Sequence, residues 1–543
     1  MLRDPGLQIM PGDAAAEAGP RPKAARPGGS PAVIVRALVA GLVGLVAVVG
    51  AARTGGAAGV AAPLSLLAGL LLLVAAWRSW EVGVQAILAV VVLEGAVRKW
   101  FLPSFSELVY FYKDALMLVV LASYLATRRA ARRKSPLLIR GELKPLLVSI
   151  WALALYAVAS VSNPRLPHPL VGLLGVKAYF LYVPLAFLVP RMFASKEKLV
   201  GFLKWYLVIA IPVAALAAMQ FADSDPNSAL NRYAWDETAA AATGMDMAVA
   251  AFQDSTGATY VRVTSTFSYL AGLAIYLPTM FALLLGLISQ NSVRSLPKSF
   301  RWVYHVTLAA VAATTFMTGS RGAVLNLAVI AAFFYGLAPK KHLVRRLRQA
   351  VIGAALIGVA LTVFFPQALD ALYTRAFGGE DQVVEGWGRV EEAFRLPFDE
   401  AGHAGVFGYG VGATQNAAPI LLSKLNLPFV GEQIPIYYEG ESGRLMLELG
   451  VAGYLLYMLL RLLVIATLLR TCFLIDDVEA KSLAVAAVAA LILPLTVGGA
   501  VVQHTQNVYQ WFLIGIPLAM LNAQKTAGRL AEAKARPGAL RRV

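Results

Sequence analysis

Residues 265–289 read STFSYLAGLAIYLPTMFALLLGLIS, twenty-five positions without an Asp, Glu, Lys or Arg. A bilayer's hydrocarbon core, about 30 Å thick, is crossed by roughly 20 apolar residues in a helix, so the stretch predicts a transmembrane helix. Working outward with the same criterion gives fourteen predicted spans: 33–52, 58–77, 81–97, 106–127, 145–162, 169–190, 199–221, 265–289, 302–318, 322–338, 349–365, 449–474, 482–502 and 508–523. The expected fold is all-α: a polytopic transmembrane helical bundle of about fourteen spans.

Composition agrees. Of 543 residues 58% are apolar and 15% charged, where soluble domains carry roughly 45–50% and about 25%. Mean hydropathy is +0.66. These values exclude a soluble enzyme and a disordered chain. The net charge of +17 does not require nucleic acid, because basic residues follow the spans. With the N-terminus cytoplasmic, about thirty of the 48 Lys and Arg fall on cytoplasmic segments and only a dozen on the outer ones. Arg128-Arg129, Arg132-Arg133-Lys134, Lys340-Lys341 and Arg345-Arg346 all land on one side. That pattern predicts a multi-pass protein of the bacterial inner membrane with both termini cytoplasmic. One cysteine, Cys472, excludes a disulfide framework and cysteine-based metal sites.

The chain then divides into a Pro-, Gly- and Ala-rich tail (1–32), a bundle (33–365), a large outer loop (366–440), a second part of the bundle (441–523) and a basic tail (524–543). The tail at 1–32 reads as disordered, not as a cleaved signal. A second long outer segment covers 222–262. The loop 366–440 has ten acidic and four basic residues and keeps Phe377, Trp387, Phe394, Phe398, Phe407 and Tyr409. A disordered segment would hold few aromatics, so this loop is expected to be partly helical, and to pack over the bundle.

Outer arginines are the first chemical candidates. Arg321 lies in Thr318-Gly319-Ser320-Arg321-Gly322, Arg262 precedes the eighth span, Arg389 and Arg395 lie in the large loop, and Arg444 lies just before the twelfth span. A guanidinium is always charged, and its planar fork suits phosphate oxygens. The competing reading for each is an interfacial arginine with its stem in the bundle. Glu441, Arg444 and Glu448 share one helical face, which suits either a general base beside a cation or a structural salt-bridge ladder. Lys177 and Lys113-Asp114 sit within spans, where ionisable groups are costly. Lys177 has no acidic sequence neighbour and ranks higher; Glu94 with Arg98 reads as a structural pair. Gly408-Tyr409-Gly410-Val411-Gly412 follows no strand and reads as a glycine turn, not a nucleotide loop. His403 and His504 are lone outer histidines.

These residues resemble a family. Thr318–Ala323 is similar to the Ser-Arg-Gly motif of the O-antigen ligase and polymerase superfamily. The large loop followed by Glu448-Leu449-Gly450-Val451-Ala452-Gly453-Tyr454 resembles that superfamily's loop and its Glu-Leu-Gly helix. Arg389 with Gly408–Gly412 resembles the Arg and Gly-x-Gly stretch of the same loop. Gly175–Tyr179 with Tyr182-Val183-Pro184 resembles the segment with a basic residue before a Tyr, and Glu94-Gly95, Arg98-Lys99-Trp100 and Pro103 resemble an exopolysaccharide-cluster subgroup. The similarity runs over residues 90–520.

The resemblance implies an inverting, metal-independent glycosyltransferase without a cofactor. Its donor would be an undecaprenyl-pyrophosphate-linked glycan, its acceptor a sugar hydroxyl, and its site the periplasmic face. Membrane lipid, and polysaccharide export or chain-length proteins, are the implied partners; nucleic acid is not. Ligases of the superfamily carry a His before the Glu-Leu-Gly helix, where this chain reads Tyr438-Glu439-Gly440-Glu441-Ser442-Gly443-Arg444. Glu441 (or Glu439) is the natural substitute as base. The expected catalytic residues are thus Glu441, Arg321 and Arg389, with Arg444, Lys177, Arg262 and Arg395 binding substrate. A lipid-linked oligosaccharide flippase and a non-catalytic assembly protein are the alternatives. The first predicts short outer loops and a cationic cavity, the second scattered arginines.

Overall fold

A computed structural model describes residues 61–134, 136–223, 225–234, 250–253, 255–337, 365–377, 380–415, 417–432, 440–499 and 503–535, with isolated positions within 40–50 and 348–363 and at 434 and 501. The fold is all-α, 78% helical with almost no strand. In chain order the helices are α1 (Ala61–Arg78), α2 (Trp80–Ala96), α3 (Ser106–Lys134), α4 (Lys144–Ser160), α5 (Pro169–Phe180), α6 (Leu185–Met192), α7 (Lys196–Tyr206), α8 (Ala210–Ala222), α9 (Leu270–Ile288), α10 (Lys298–Met317), α11 (Arg321–Leu337), α12 (Pro366–Phe377), α13 (Glu380–Ala404), α14 (Ala417–Lys424), α15 (Glu441–Leu474), α16 (Val478–Thr496) and α17 (His504–Ala535). A two-stranded antiparallel ribbon, β1 (Ala251–Gln253) and β2 (Thr259–Val261), lies between α8 and α9.

Among the described residues, seven helical stretches are long and apolar enough to cross a membrane: Trp80–Phe101, Pro103–Ala130, Pro169–Met192, Lys196–Ala222, Leu270–Ile288, Glu441–Leu474 and Val478–Thr496. The chain is a helical membrane protein. Expected span 33–52 falls largely outside the described residues, and about half of 349–365 does. Elsewhere the boundaries differ for local reasons. The stretch Pro169–Met192, expected as one span over 169–190, has a break at 181–184 between its two helical parts, where Pro184 has no N–H to continue the ladder. The one expected at 482–502 stops at Thr496, just before Gly498-Gly499. The large loop is helical in three places, α12, α13 and α14, and α13 packs along α15.

Alanine-rich α16 lies against α9, α11 and α17. A Cβ on Gly286 of α9 would stand 2.9 Å from the Ala486 methyl. With little apolar driving force between helices in lipid, such small residues let backbones approach and gain dispersion contact.

The connections segregate to two ends. At one end Glu142 pairs with Lys525, Asn522 bridges Leu138 N–H (2.7 Å) and the Pro136 carbonyl (3.0 Å), and Lys196 pairs with Asp477 and Glu479 (both 2.7 Å). At the other, Arg165 meets Glu432 (3.0 Å), Arg98 donates to the Ala234 carbonyl (3.2 Å), and Lys424 pairs with Glu107. These are the two loop sets that the basic-residue pattern separates.

The Glu142–Lys525 pair ties the connection before α4 to the far end of α17. Its hydrogen bond from Lys525 holds the Glu142 carboxyl below the ordinary 4.5, against a smaller opposing effect of burial. A depressed carboxyl stabilises the fold above its unfolded value and loses that contribution as pH falls through the folded one. Glu142→Gln is therefore expected to lower thermal stability at pH 7 by under about 1 kcal/mol, since the pair is partly solvated. The gap should close on acidification below 4.5. A gap that persists at pH 3 would refute the linkage.

Candidate functional site

The site is built around one break. In an unbroken helix Glu441 and Arg461 would stand about 30 Å apart. Instead Arg461 donates to Glu441 Oε1 at 2.8 Å, so α15 doubles back between them. The reversal is at Gly450, whose φ of 64° and ψ of −179° only glycine adopts readily. Residues 441–449 are thus a short half-helix folded against the longer one, 451–474.

A break in a helix orphans backbone groups that must be satisfied elsewhere. The 405–412 stretch does this. Tyr409 and Gly410 N–H donate to the Leu447 and Glu448 carbonyls (2.8 and 3.0 Å), and Val451 and Ala452 N–H donate to the Gly405 and Val406 carbonyls (3.0 and 3.1 Å). The glycines are required. Gly408, Gly410 and Gly412 all have positive φ, and a Cβ on Gly408 would sit 2.5 Å from the Glu448 carbonyl oxygen. The Gly-x-Gly stretch is a plug for a broken helix.

The charged side chains of the half-helix have defined partners, whereas the buried Ser442 hydroxyl has none among the described residues. Glu441 accepts from Arg461 and, through Oε2, from Val501 N–H at 2.7 Å. Arg461 also donates to the Gly498 carbonyl at 3.1 Å and lies over the Tyr457 ring. Arg444 donates to the Thr414 carbonyl (3.3 Å), while the Thr414 hydroxyl and N–H donate to Glu448 (2.6 and 3.1 Å). Tyr179 of α5 gives Glu448 a third bond at 2.9 Å. Glu441, Arg444 and Glu448 are all buried.

Two positions from Tyr179 on α5, Lys177 points to the opposite face, as 100° per residue requires. It pairs with Asp114 at 2.6 Å, and Asp114 also accepts from Tyr182. Glu94 pairs with Lys113 at 2.6 Å and lies 3.8 Å from Arg98. Tyr110 sits amid this charge, with Lys113 at 4.4 Å, Arg98 at 5.3 Å and Lys177 at 5.5 Å from its ring, and His504 edge-on at 5.1 Å. Tyr179, Tyr457, Asn507, Gln510 and Trp511 line a cavity.

Of the residues expected from sequence, Glu441 and Arg444 lie together on the half-helix of α15, while Lys177 lies in the separate group on the other face of α5. Arg262 joins a neighbouring group: its Nε donates to the Thr318 carbonyl at 3.2 Å, beside the turn in which Gly319 has positive φ, Ser320 caps α11 and Arg321 is its first residue. Tyr233 O–H donates to the Arg262 carbonyl, and Arg98 reaches Ala234 and Ser268, which links the two groups. Arg395 stands apart, exposed on α13 between Glu391 and Asp399. Arg389 falls in α13, but its side chain lies outside the described residues, as does Glu439. His403 is exposed beside Glu400. Sequence reasoning missed Arg461 as a site residue. Its signal was present, a charge inside an apolar span, but nothing in the spacing pointed to a partner twenty residues back.

The fold and site together define a multi-pass helical membrane protein with a buried, charged site at one end of its bundle. No family model and no curated protein matches this chain.

Proposed function

We propose that this protein is a glycosyltransferase of the O-antigen ligase and polymerase type, in the bacterial inner membrane. On this reading the chain has fourteen spans and cytoplasmic termini, and the Gly450 end faces the periplasm. The enzyme transfers a saccharide from a polyprenyl diphosphate to a sugar hydroxyl, building O-antigen or exopolysaccharide. The observation that carries the reading is the doubled-back α15, which brings Glu441, Arg444 and Glu448 into the bundle interior, against the helices of the large loop. Half-helices of this kind line substrate sites in membrane proteins, and their N-termini favour anionic groups.

The chemistry follows. The acceptor hydroxyl oxygen attacks the anomeric carbon as the bond from that carbon to the diphosphate oxygen breaks. The electron pair leaves with the diphosphate, whose charge is stabilised by guanidinium groups of Arg444 and of the Arg262–Arg321 turn. Glu441 takes the acceptor proton, held in position by Arg461 and Val501 N–H. Glu448 keeps the glycine plug and Tyr179 in register.

Glu441→Gln keeps size but removes the base. Polymer is expected to fall by about 10²-fold or more, with lipid-linked donor accumulating on the periplasmic side. Full activity would reassign the base. The charged group around Lys177 favours the one rival reading, transport of the lipid-linked glycan. Donor accumulating on the cytoplasmic side would establish that reading and refute the transferase.

A further inference from the structure

Among the described residues the group around Lys177 is one negative charge short: Arg98, Lys113 and Lys177 face Glu94 and Asp114. The other titratable groups near them are Tyr110 on α3 itself, Tyr182 and His504, none of them an anion at neutral pH. A surplus cation in a low-dielectric interior is costly unless an anion meets it. The cations are unequally engaged. Arg98 donates to Ser106 (2.9 Å), Ser268 (2.9 Å) and Ala234 (3.2 Å), and Lys113 donates to Glu94 and to the Tyr110 carbonyl (2.8 Å). Among the described residues the Lys177 ammonium, with three N–H donors, has one polar partner, Asp114. It is 19% exposed, and its ammonium lies 4.9 Å from the exposed Phe111 ring. Edge-on to the Tyr110 ring, His504 Nδ1 is buried without a hydrogen-bond partner among the described residues.

We propose that this group is a carboxylate site for an acidic sugar of the glycan, with Lys177 and His504 holding the carboxylate and the Phe111 ring packing against the pyranose. A surplus of one charge matches a carboxylate and not a diphosphate. The site is also separate from Arg444 and Glu448, which lie across α5 on the Tyr179 side. The proposal rests on the glycan reading above and narrows its substrate to acidic polysaccharides.

The test is equilibrium binding to the full-length protein in nanodiscs. The probes are a labelled oligosaccharide carrying one glucuronate and the same oligosaccharide with glucose in its place. The acidic probe is expected to bind at least about tenfold tighter, the value of roughly one charge-assisted contact. Lys177→Met removes the surplus and should abolish the preference; Lys177→Arg should keep it. Asp114→Asn increases the surplus and should preserve or enlarge the preference, whereas a merely structural Lys177–Asp114 pair predicts that it falls. If Lys177→Met does not fold, the direction of Asp114→Asn decides. Equal binding of the two probes overturns the carboxylate site alone, and binding of neither overturns the glycan reading with it. Chloride that displaces the acidic probe with equal affinity assigns the group to a free inorganic anion and overturns the sugar.

Discussion

Gly450→Ala is expected to destabilise the protein by about 3 kcal/mol or more and to abolish the polymer formation proposed above. Two costs combine. A backbone at φ 64° and ψ −179° is essentially restricted to glycine and costs about 1–3 kcal/mol for another residue. The new methyl would also stand 2.3 Å from Gly408 N and 2.4 Å from the Val406 carbonyl oxygen. Those neighbours are backbone, pinned by four hydrogen bonds across the break, so they cannot move aside without unmaking the plug. Overpacking adds typically about 1–3 kcal/mol. Gly322→Ala is the control: it lies in the first turn of α11 with nothing within 4 Å of the added methyl. Thermal unfolding in detergent should separate the two variants widely, and near-equal midpoints would show that the reversal at Gly450 carries no strain for a side chain.

The second large effect belongs to Arg461. Arg461→Met removes the Arg461 partner from the buried Glu441 carboxylate. Removing one partner of a buried ion pair costs about 3–5 kcal/mol, whereas replacing both by apolar residues of similar volume is often neutral. The double variant Arg461→Met with Glu441→Met should therefore recover most of the stability lost in the single variant. It should not recover polymer formation, because the proposed base is gone. The cycle thus separates holding the fold from performing the transfer. A double variant no more stable than Arg461→Met would mean that the pair is not a closed unit, and one with polymer yield near wild type would remove Glu441 from the chemistry.

Much of the bundle is legible in the sequence, and the reason is visible in particular helices. Leu270–Ile288 is apolar over its full length, and length with hydropathy is sufficient there. The alternation of basic segments likewise foreshadows the two sets of contacting loops, because long-range partners such as Glu142 and Lys525 both lie in segments of one predicted side. The reversal in α15 is not legible. Glu448-Leu449-Gly450-Val451 has ordinary helix composition, and a single glycine inside a helical pattern is usually tolerated. What breaks the helix is tertiary: the 405–412 backbone offers replacement partners that only the folded chain brings there. For the same reason the face shared by Glu441, Arg444 and Glu448 was visible, while the ion pair with Arg461 was not. Lys177 stands out in sequence as a charge within a span, but Asp114, 63 positions earlier, is its partner only once α3 and α5 are packed.

The contacts that seal the Gly450 end also set an order of assembly. Tyr156 of α4 donates to the Leu449 carbonyl across 293 positions of sequence, and Asn163 donates to the Gly408 carbonyl across 245. Asn507 reaches back 329 positions to the Ala178 carbonyl. During synthesis, at about 5–20 residues per second, the helices of the first third must wait some tens of seconds in the membrane with these surfaces uncovered. Closing such distant contacts is the slow part of folding. A chain that stalls before residue 441 would present α4 and α5 without their cover, so membrane quality control would meet this protein mostly as an incomplete bundle open at its functional end.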